Sequence, residues 1–401
     1  MPAMSRTEFI ALIAMMFATI AFSIDAMLPG LPDIATELSP EDPNRAQLIL
    51  TSFVVGIGIG TFFVGPLSDT FGRKPVIIAG SALYIGAALL AYVSTSLEMV
   101  LAARALQGLG AAAPRIVSLA IMRDIYSGRI MARMMSIAMM IFTIFPAFAP
   151  LIGAGIISVL GWRGIFLAFV LFSVISVGWM TLRLPEPLPR SARRPFRPRV
   201  MLASLREMVA HPTVRLSIIV QTLCMGALFT NITMVQPVYD VVFDRADSFP
   251  FWFAAVAIVS GSASILNAVV VVRVGMRRMV TWSLAAQLVL SGAMIAIHGV
   301  PLSDTIDFAI FIIWQSSVFF MVGTTLGNLN AIAMEPMGHI AGMAASVIGA
   351  IATVCAAAIA APVGLLFDGS IMPLVAGVFV MCATGFALML LMARAETRLA
   401  A

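Results

Sequence analysis

The sequence predicts an all-α polytopic membrane protein, with twelve transmembrane helices in two pseudo-symmetric six-helix bundles. Three observations predict it. Apolar runs of about 20 residues recur twelve times between short polar breaks, and 20 residues of helix cross a bilayer core. The 401 residues are 61% hydrophobic and only 11% charged, against roughly 25% charged in a soluble domain. The basic residues collect on one side of the membrane implied by those runs.

The predicted spans are 8–36, 46–67, 75–93, 97–122, 131–158, 163–184, 213–240, 249–272, 279–298, 305–334, 340–367 and 371–393. Alternating ten-residue segments of the barrel type do not occur, so strands are not expected. The first run, from Phe9 to about Leu28, exceeds a signal peptide's apolar core and no small-residue cleavage site follows it, so it reads as a retained helix. Residues 1–184 form the first bundle and 213–401 the second. Between them, 185–212 is a polar linker containing Pro185-Glu186-Pro187-Leu188-Pro189-Arg190-Ser191-Ala192-Arg193-Arg194-Pro195. Its prolines disfavour helix continuation, and its arginines favour the inner membrane face, as topological anchors or as contacts to anionic lipid.

Net charge is +5 and the pI is near 9.6, which raises a nucleic-acid reading. The bases form no single patch interleaved with aromatics, so that reading is rejected. With both termini inside, 19 of the 24 Lys and Arg lie in inner segments, among them Arg73, Lys74, Arg123, Arg129, Arg197, Arg277, Arg278 and Arg398. Outer segments hold only Arg45, Arg163 and Arg245, and carry acids such as Glu37, Asp42, Asp244 and Asp304 instead. Cys224, Cys355 and Cys382 lie in apolar runs without metal-ligand spacing and read as small apolar packing residues.

Asp25 lies 17 residues beyond Glu8, in Phe22-Ser23-Ile24-Asp25-Ala26-Met27-Leu28-Pro29-Gly30-Leu31-Pro32. A carboxylate in that setting costs at least ~2.5 kcal/mol on insertion scales. Two readings stand: a proton carrier, or a hydrogen-bonded residue steadying the Pro29/Pro32 kink. The fourth span holds Arg104 and Arg115, eleven residues apart. At 100° per residue they turn to within about 20° of one helix face, about 16 Å apart along the axis. That face should look into a polar cavity, with Arg104 in reach of Asp25; Arg115 either faces the cavity or snorkels inward. Gly108, Gly110 and Ala111–Ala113 permit close helix approach. The second bundle offers amides in place of charges: Asn231, Gln236, Asn267, Gln315, Asn328 and Asn330. Unpaired amides are unfavourable in lipid, so some line the cavity, with Asn231, Gln236, Gln315 and Asn328 as substrate candidates, while others bridge helices. No Walker loop, zinc motif or nucleophile motif occurs, so neither ATP drive nor enzymatic chemistry is indicated, and protons replace any cofactor.

Weak internal echoes recur at an offset of about 200 residues. Met27-Leu28-Pro29 is matched by Met234-Val235-Gln236-Pro237, and Ala149-Pro150-Leu151-Ile152-Gly153 by Ala361-Pro362-Val363-Gly364. Arg273-Val274-Gly275-Met276-Arg277-Arg278 is a decayed copy of the loop that joins the second and third spans.

That loop, Gly65-Pro66-Leu67-Ser68-Asp69-Thr70-Phe71-Gly72-Arg73-Lys74, resembles the signature loop of the major facilitator superfamily, Gly-x-Leu-(Ala/Ser)-Asp-x-x-Gly-(Arg/Lys)-(Arg/Lys). Arg104-Ala105-Leu106-Gln107-Gly108-Leu109-Gly110-Ala111 resembles the family's helix-4 motif, whose Arg is implicated in proton coupling. Ala149 to Ala154 resembles the antiporter motif Gly-Pro-x-x-Gly-Gly through Pro150 and Gly153, with alanine at two of its glycine positions. Asp25 to Pro32, followed by Met122-Arg123-Asp124-Ile125-Tyr126, looks like the bicyclomycin/chloramphenicol resistance (Bcr/CflA) group of drug:proton antiporters. The resemblance implies a proton-driven efflux transporter of the bacterial inner membrane, and a monomer is expected. It implies a cavity lined by helices 1, 4, 7 and 10, alternating access, and a latch at Gly65, Asp69, Gly72, Arg73 and Lys74, with Asp124 as a further partner. The buried charges Asp25, Arg104 and Arg115 sum to +1, so neutral, zwitterionic or anionic small molecules are the expected substrates. A proton-coupled metabolite importer or exporter on the same fold is the alternative, and a non-transporting membrane sensor the remote one.

Overall fold

The computed structural model describes residues 4–196 and 198–400; Arg197 lies outside them, as do the side chains of Arg129 and Arg398. No strand occurs among the described residues. The chain divides into two compact units, Met1–Pro198 and Arg199–Ala401.

In the first unit, α1 (Arg6–Asp25) begins at an N-capping Ser5, whose hydroxyl accepts from the Glu8 N–H. Regular helix stops at Asp25. A 3₁₀ turn at Leu28–Gly30 carries Pro29, and α2 (Leu31–Leu38) then completes the first span. Pro29 and Pro32 each lack the N–H that a continuing helix needs, so the span is broken where the sequence is richest in proline. The remaining spans are α3 (Leu48–Phe71), α4 (Arg73–Val93), α5 (Leu97–Ile125), α6 (Gly128–Leu160) and α7 (Gly164–Arg183).

The stripe of small residues on α5 lets three helices touch at backbone distance. A Cβ on Gly108 would strike the Phe53 carbonyl of α3, and one on Gly56 the Ala105 carbonyl of α5. Gly110 stands in the same relation to the Gly80 carbonyl of α4. These contacts exchange side-chain volume for close backbone approach, which is how helices associate when lipid supplies no hydrophobic drive between them.

In the second unit, α8 (Pro198–Ala210) is a short amphipathic helix inside the segment read as a linker; Met201, Ser204 and Met208 form its buried side. The spans are α9 (Pro212–Pro237), α10 (Phe249–Val274), α11 (Met276–Ile297), α12 (Asp304–Met334), α13 (Ala341–Leu365) and α14 (Met372–Ala400). Helical pairing in α9 gives way to a π turn at Val238–Val242, directly after Pro237, the counterpart of the 3₁₀ turn after Met27. Gly72 (φ 106°, ψ 162°) and Gly275 (φ 87°, ψ 153°) each close one helix and open the next with nearly the same backbone. Both angles belong to glycine, and they make the decayed loop copy visible as geometry.

Eleven described helices are long and apolar enough to cross a membrane. The remaining position in the order is taken by α6, with 33 residues, whose described apolar stretch is Ile144–Leu160. Burial sorts the spans: 83% of the first span's apolar window is inside protein, against 11% for the one ending at Val274. The latter presents Ile265 and Val272 outward, as a lipid-facing helix does. Cys224 and Cys382 are buried as expected, whereas Cys355 is exposed, a small residue on an outer helix face.

Candidate functional site

Asp25 is the last residue of α1 and is 5% exposed. Among the described residues, no hydrogen bond or ion pair reaches its carboxyl group. The carbonyl end of a helix carries partial negative charge, so the backbone there offers no compensation for an ionised carboxylate. The alternative role, bracing the kink by hydrogen bonding, therefore has no bond to rest on. The break is braced by packing instead: α6 lies against it, and a Cβ on Gly153 would run into the Ala26 carbonyl oxygen. Gly153 is the antiporter-like position of the fifth span, and the fold brings it beside the residue that follows Asp25. Pro150 lies one turn earlier within α6.

Arg104 is fully buried, but its partner differs from the expected one. Its guanidinium donates to the Ser23 carbonyl (2.8 Å), to Gln107 Oε1 (2.7 Å) and, at 3.4 Å, to the Ile49 carbonyl. Its carbon lies 4.1 Å above the Phe53 ring centroid, a cation–π distance. Ser23 is thus the link between Arg104 and the segment that carries Asp25. The Ser23 hydroxyl is 2.6 Å from the Tyr84 hydroxyl of α4 and donates to the Thr19 carbonyl. The Phe22 ring packs edge-on against Phe145 and Phe169, closing the apolar surround. Arg115 is half-buried, and among the described residues no hydrogen bond or ion pair reaches it. The two arginines of α5 thus have unlike surroundings.

The signature loop assembles around Arg73, which is almost fully buried. Its guanidinium binds Asp69 (2.5 Å) and Asp124 (2.7 Å), and also donates to the Ser68 hydroxyl. Three helices, α3, α4 and α5, meet through one side chain. Glu186, in the segment expected to be a linker, receives the backbone N–H groups of Arg73 and Lys74 on its two oxygens, both at 2.9 Å. A carboxylate there satisfies otherwise unpaired N–H groups at the positive end of α4. Lys74 Nζ reaches the Thr181 carbonyl of α7, and Gly65 accepts from Ser68. The copy in the second unit keeps a weaker version, Arg277 to Glu335 at 3.3 Å between exposed side chains.

Of the amides, Asn231 is fully buried with both amide atoms unpartnered, and Gln315 accepts from the Tyr239 hydroxyl (2.8 Å) while its Nε2 is unpartnered. Gln236 is buried near the end of α9. Asn328 instead ties helices together, donating to Asn267 of α10 and to the Thr324 carbonyl. Among the described residues the buried charged side chains are Asp25, Arg73 and Arg104, all in the first unit. No group of three metal-binding side chains occurs among them either.

A family model of the Major Facilitator Superfamily matches residues 11–362. The chain belongs to the major facilitator superfamily. It is therefore a multi-pass membrane protein of a family that transports small molecules. The Bicyclomycin resistance protein homolog of Haemophilus influenzae is 30% identical over 336 residues, 82% of each chain. Multidrug resistance protein MdtL of Escherichia coli is 28% identical over 334 residues, 83% of this chain and 82% of that one. These relatives agree with the Bcr/CflA resemblance of residues 25–32 and 122–126. Among solved structures, a D-xylose-proton symporter superposes with a TM-score of 0.74 at 13% identity, covering 97% of both chains. At that identity the likeness concerns the superfamily fold alone.

Proposed function

We propose that this protein is a proton-driven exporter of small neutral, zwitterionic or anionic compounds, including drugs, working by alternating access. It sits in a bacterial inner membrane as a monomer, with both termini cytoplasmic, as the distribution of Lys and Arg favours. The reading rests above all on Asp25, a buried carboxyl group at a break in its helix that has no partner among the described residues. Protonated, that group is neutral and tolerates its dry surroundings; ionised, it requires water or a nearby cation. Asp25 takes a proton from the outer side, carries it as a neutral acid and releases it inward. Arg104 holds the Ser23 carbonyl two residues away and supplies the fixed positive charge against which the released form is stabilised. Names of bicyclomycin- and multidrug-resistance relatives support export of drugs. The substrate class follows from charge: the second unit buries amides and no ionised group among its described residues, which suits partners that exchange hydrogen bonds.

The test is Asp25→Asn in vesicles carrying the purified protein. The isosteric amide should abolish accumulation driven by a pH gradient while leaving passive exchange of substrate in place. Concentrative, gradient-driven transport by that variant would overturn the assignment. Accumulation in everted vesicles with an acidic lumen indicates export, and efflux from them would favour the importer reading.

A further inference from the structure

A cavity of about 210 Å³ opens on the second unit between the first turns of α11 and the last described turns of α14. Arg277, Arg278 and Trp282 of α11 form one wall, and Met389, Leu390 and Met392 of α14 the other. Arg278 and Trp282 are exposed, whereas Met389 and Met392 are buried, so the cavity has a cationic mouth and an apolar floor. Val289 lies seven residues beyond Trp282, two turns along the same face, and is also exposed. Trp282 and Leu390 are the exposed apolar side chains of the cavity itself, and Val289 continues that stripe along α11 away from the arginines.

We propose that this cavity binds an anionic glycerophospholipid, with the headgroup phosphate at Arg277 and Arg278 and an acyl chain on the stripe. Charge and position decide the occupant. Both arginines stand at the end of spans, at headgroup depth, and Trp282 sits one turn deeper, where indole rings favour the boundary between headgroups and acyl chains. Basic pockets between spans at this level suit lipid phosphates. A soluble anion would use the mouth and leave the apolar floor and stripe in contact with nothing. Arg277 also pairs with exposed Glu335, so a bound phosphate would compete with that ion pair. The site therefore stands beside the second unit's counterpart of the signature loop.

Native mass spectrometry of the full-length protein can read the occupant, using phosphatidylglycerol and phosphatidylcholine at equal concentration. Phosphatidylglycerol should be retained preferentially. Arg278→Gln should weaken that retention about fivefold, a change of about 1 kcal/mol, while Arg45→Gln, an exposed arginine of an outer segment in the first unit, should not. Trp282→Ala should weaken retention of either lipid at this site. Equal retention of the two lipids, or equal loss in Arg278→Gln and Arg45→Gln, would overturn the proposal. Displacement of the lipid by millimolar inorganic phosphate would also overturn it, since the site would then recognise an ion without need of the chain.

Discussion

At Arg104 a single side chain gathers acceptors from three helices: α1 through Ser23, α3 through Ile49 and α5 through Gln107. A guanidinium serves such a site because its donors are fixed in a plane, and a lysine cannot reproduce the fork. Arg104→Lys should therefore lose transport as fully as Arg104→Gln, at least tenfold per molecule of purified protein, despite keeping its charge. Full activity in the lysine variant would show that charge alone matters. The positions of Asp25 and Arg104 were legible in the sequence, since ionisable residues within apolar runs stand out. Their partners were not. Asp25 was expected within reach of Arg104, but the guanidinium selects a carbonyl two residues earlier, a choice set by helix rotation and by the break after Asp25. Tyr84 carried no signal, because a tyrosine in an apolar helix resembles any lipid-facing aromatic until Ser23 is opposite it. Glu186 was hidden by the prolines and arginines around it, although a lone acid shortly after a span is the kind of residue that caps a neighbouring helix.

Element contacts turn on glycines whose missing Cβ is filled by another backbone. Gly153 and Gly155 make a matched pair on α6: the first abuts the Ala26 carbonyl and the second has nothing within 4 Å. Gly153→Ala should force α6 away from the helix break, costing about 1–3 kcal/mol by overpacking and reducing transport, while Gly155→Ala should be near neutral. Thermal unfolding and vesicle transport on both variants check this, and equal behaviour would dissociate Gly153 from the break. Gly72 and Gly275 form a second pair. Alanine at either should cost about 1–3 kcal/mol of backbone strain. Gly72→Ala should cost more, since its methyl would also crowd Glu186 Oε2, the carboxylate that receives the first N–H groups of α4, at 3.2 Å, whereas nothing lies within 4 Å of Gly275. A lower melting temperature for Gly275→Ala than for Gly72→Ala would contradict that order. The spans and the first-span break were readable from apolar length and from Pro29 and Pro32. The helix α8 was not, because the prolines around it outweighed the spacing of Met201, Ser204 and Met208 that fits a helical face.

For the whole molecule, the proposed antiport fixes the sign of its response to pH. Protons enter from the outer face as substrate leaves, so everted vesicles with a lumen one pH unit more acidic should accumulate substrate. Each coupled proton supplies about 1.4 kcal/mol, up to a tenfold gradient. A proton ionophore should remove the accumulation, and an alkaline lumen should reverse it; insensitivity to both would exclude proton coupling. Duplication was partly visible in the sequence as echoes of weak motifs. It becomes plain in the paired glycine turns at Gly72 and Gly275 and the paired helix breaks after Met27 and Pro237. Among the described residues no carboxylate pairs with Arg104, which bears on energetics as well as on binding. Its charge stays fixed, so each protonation of Asp25 changes the net charge of the first unit's interior by one. A neutral solute exchanged for that proton makes turnover electrogenic, and the membrane voltage then contributes about 2.3 kcal/mol per charge for every 100 mV. Cells could in that case sustain extrusion in alkaline surroundings on voltage alone.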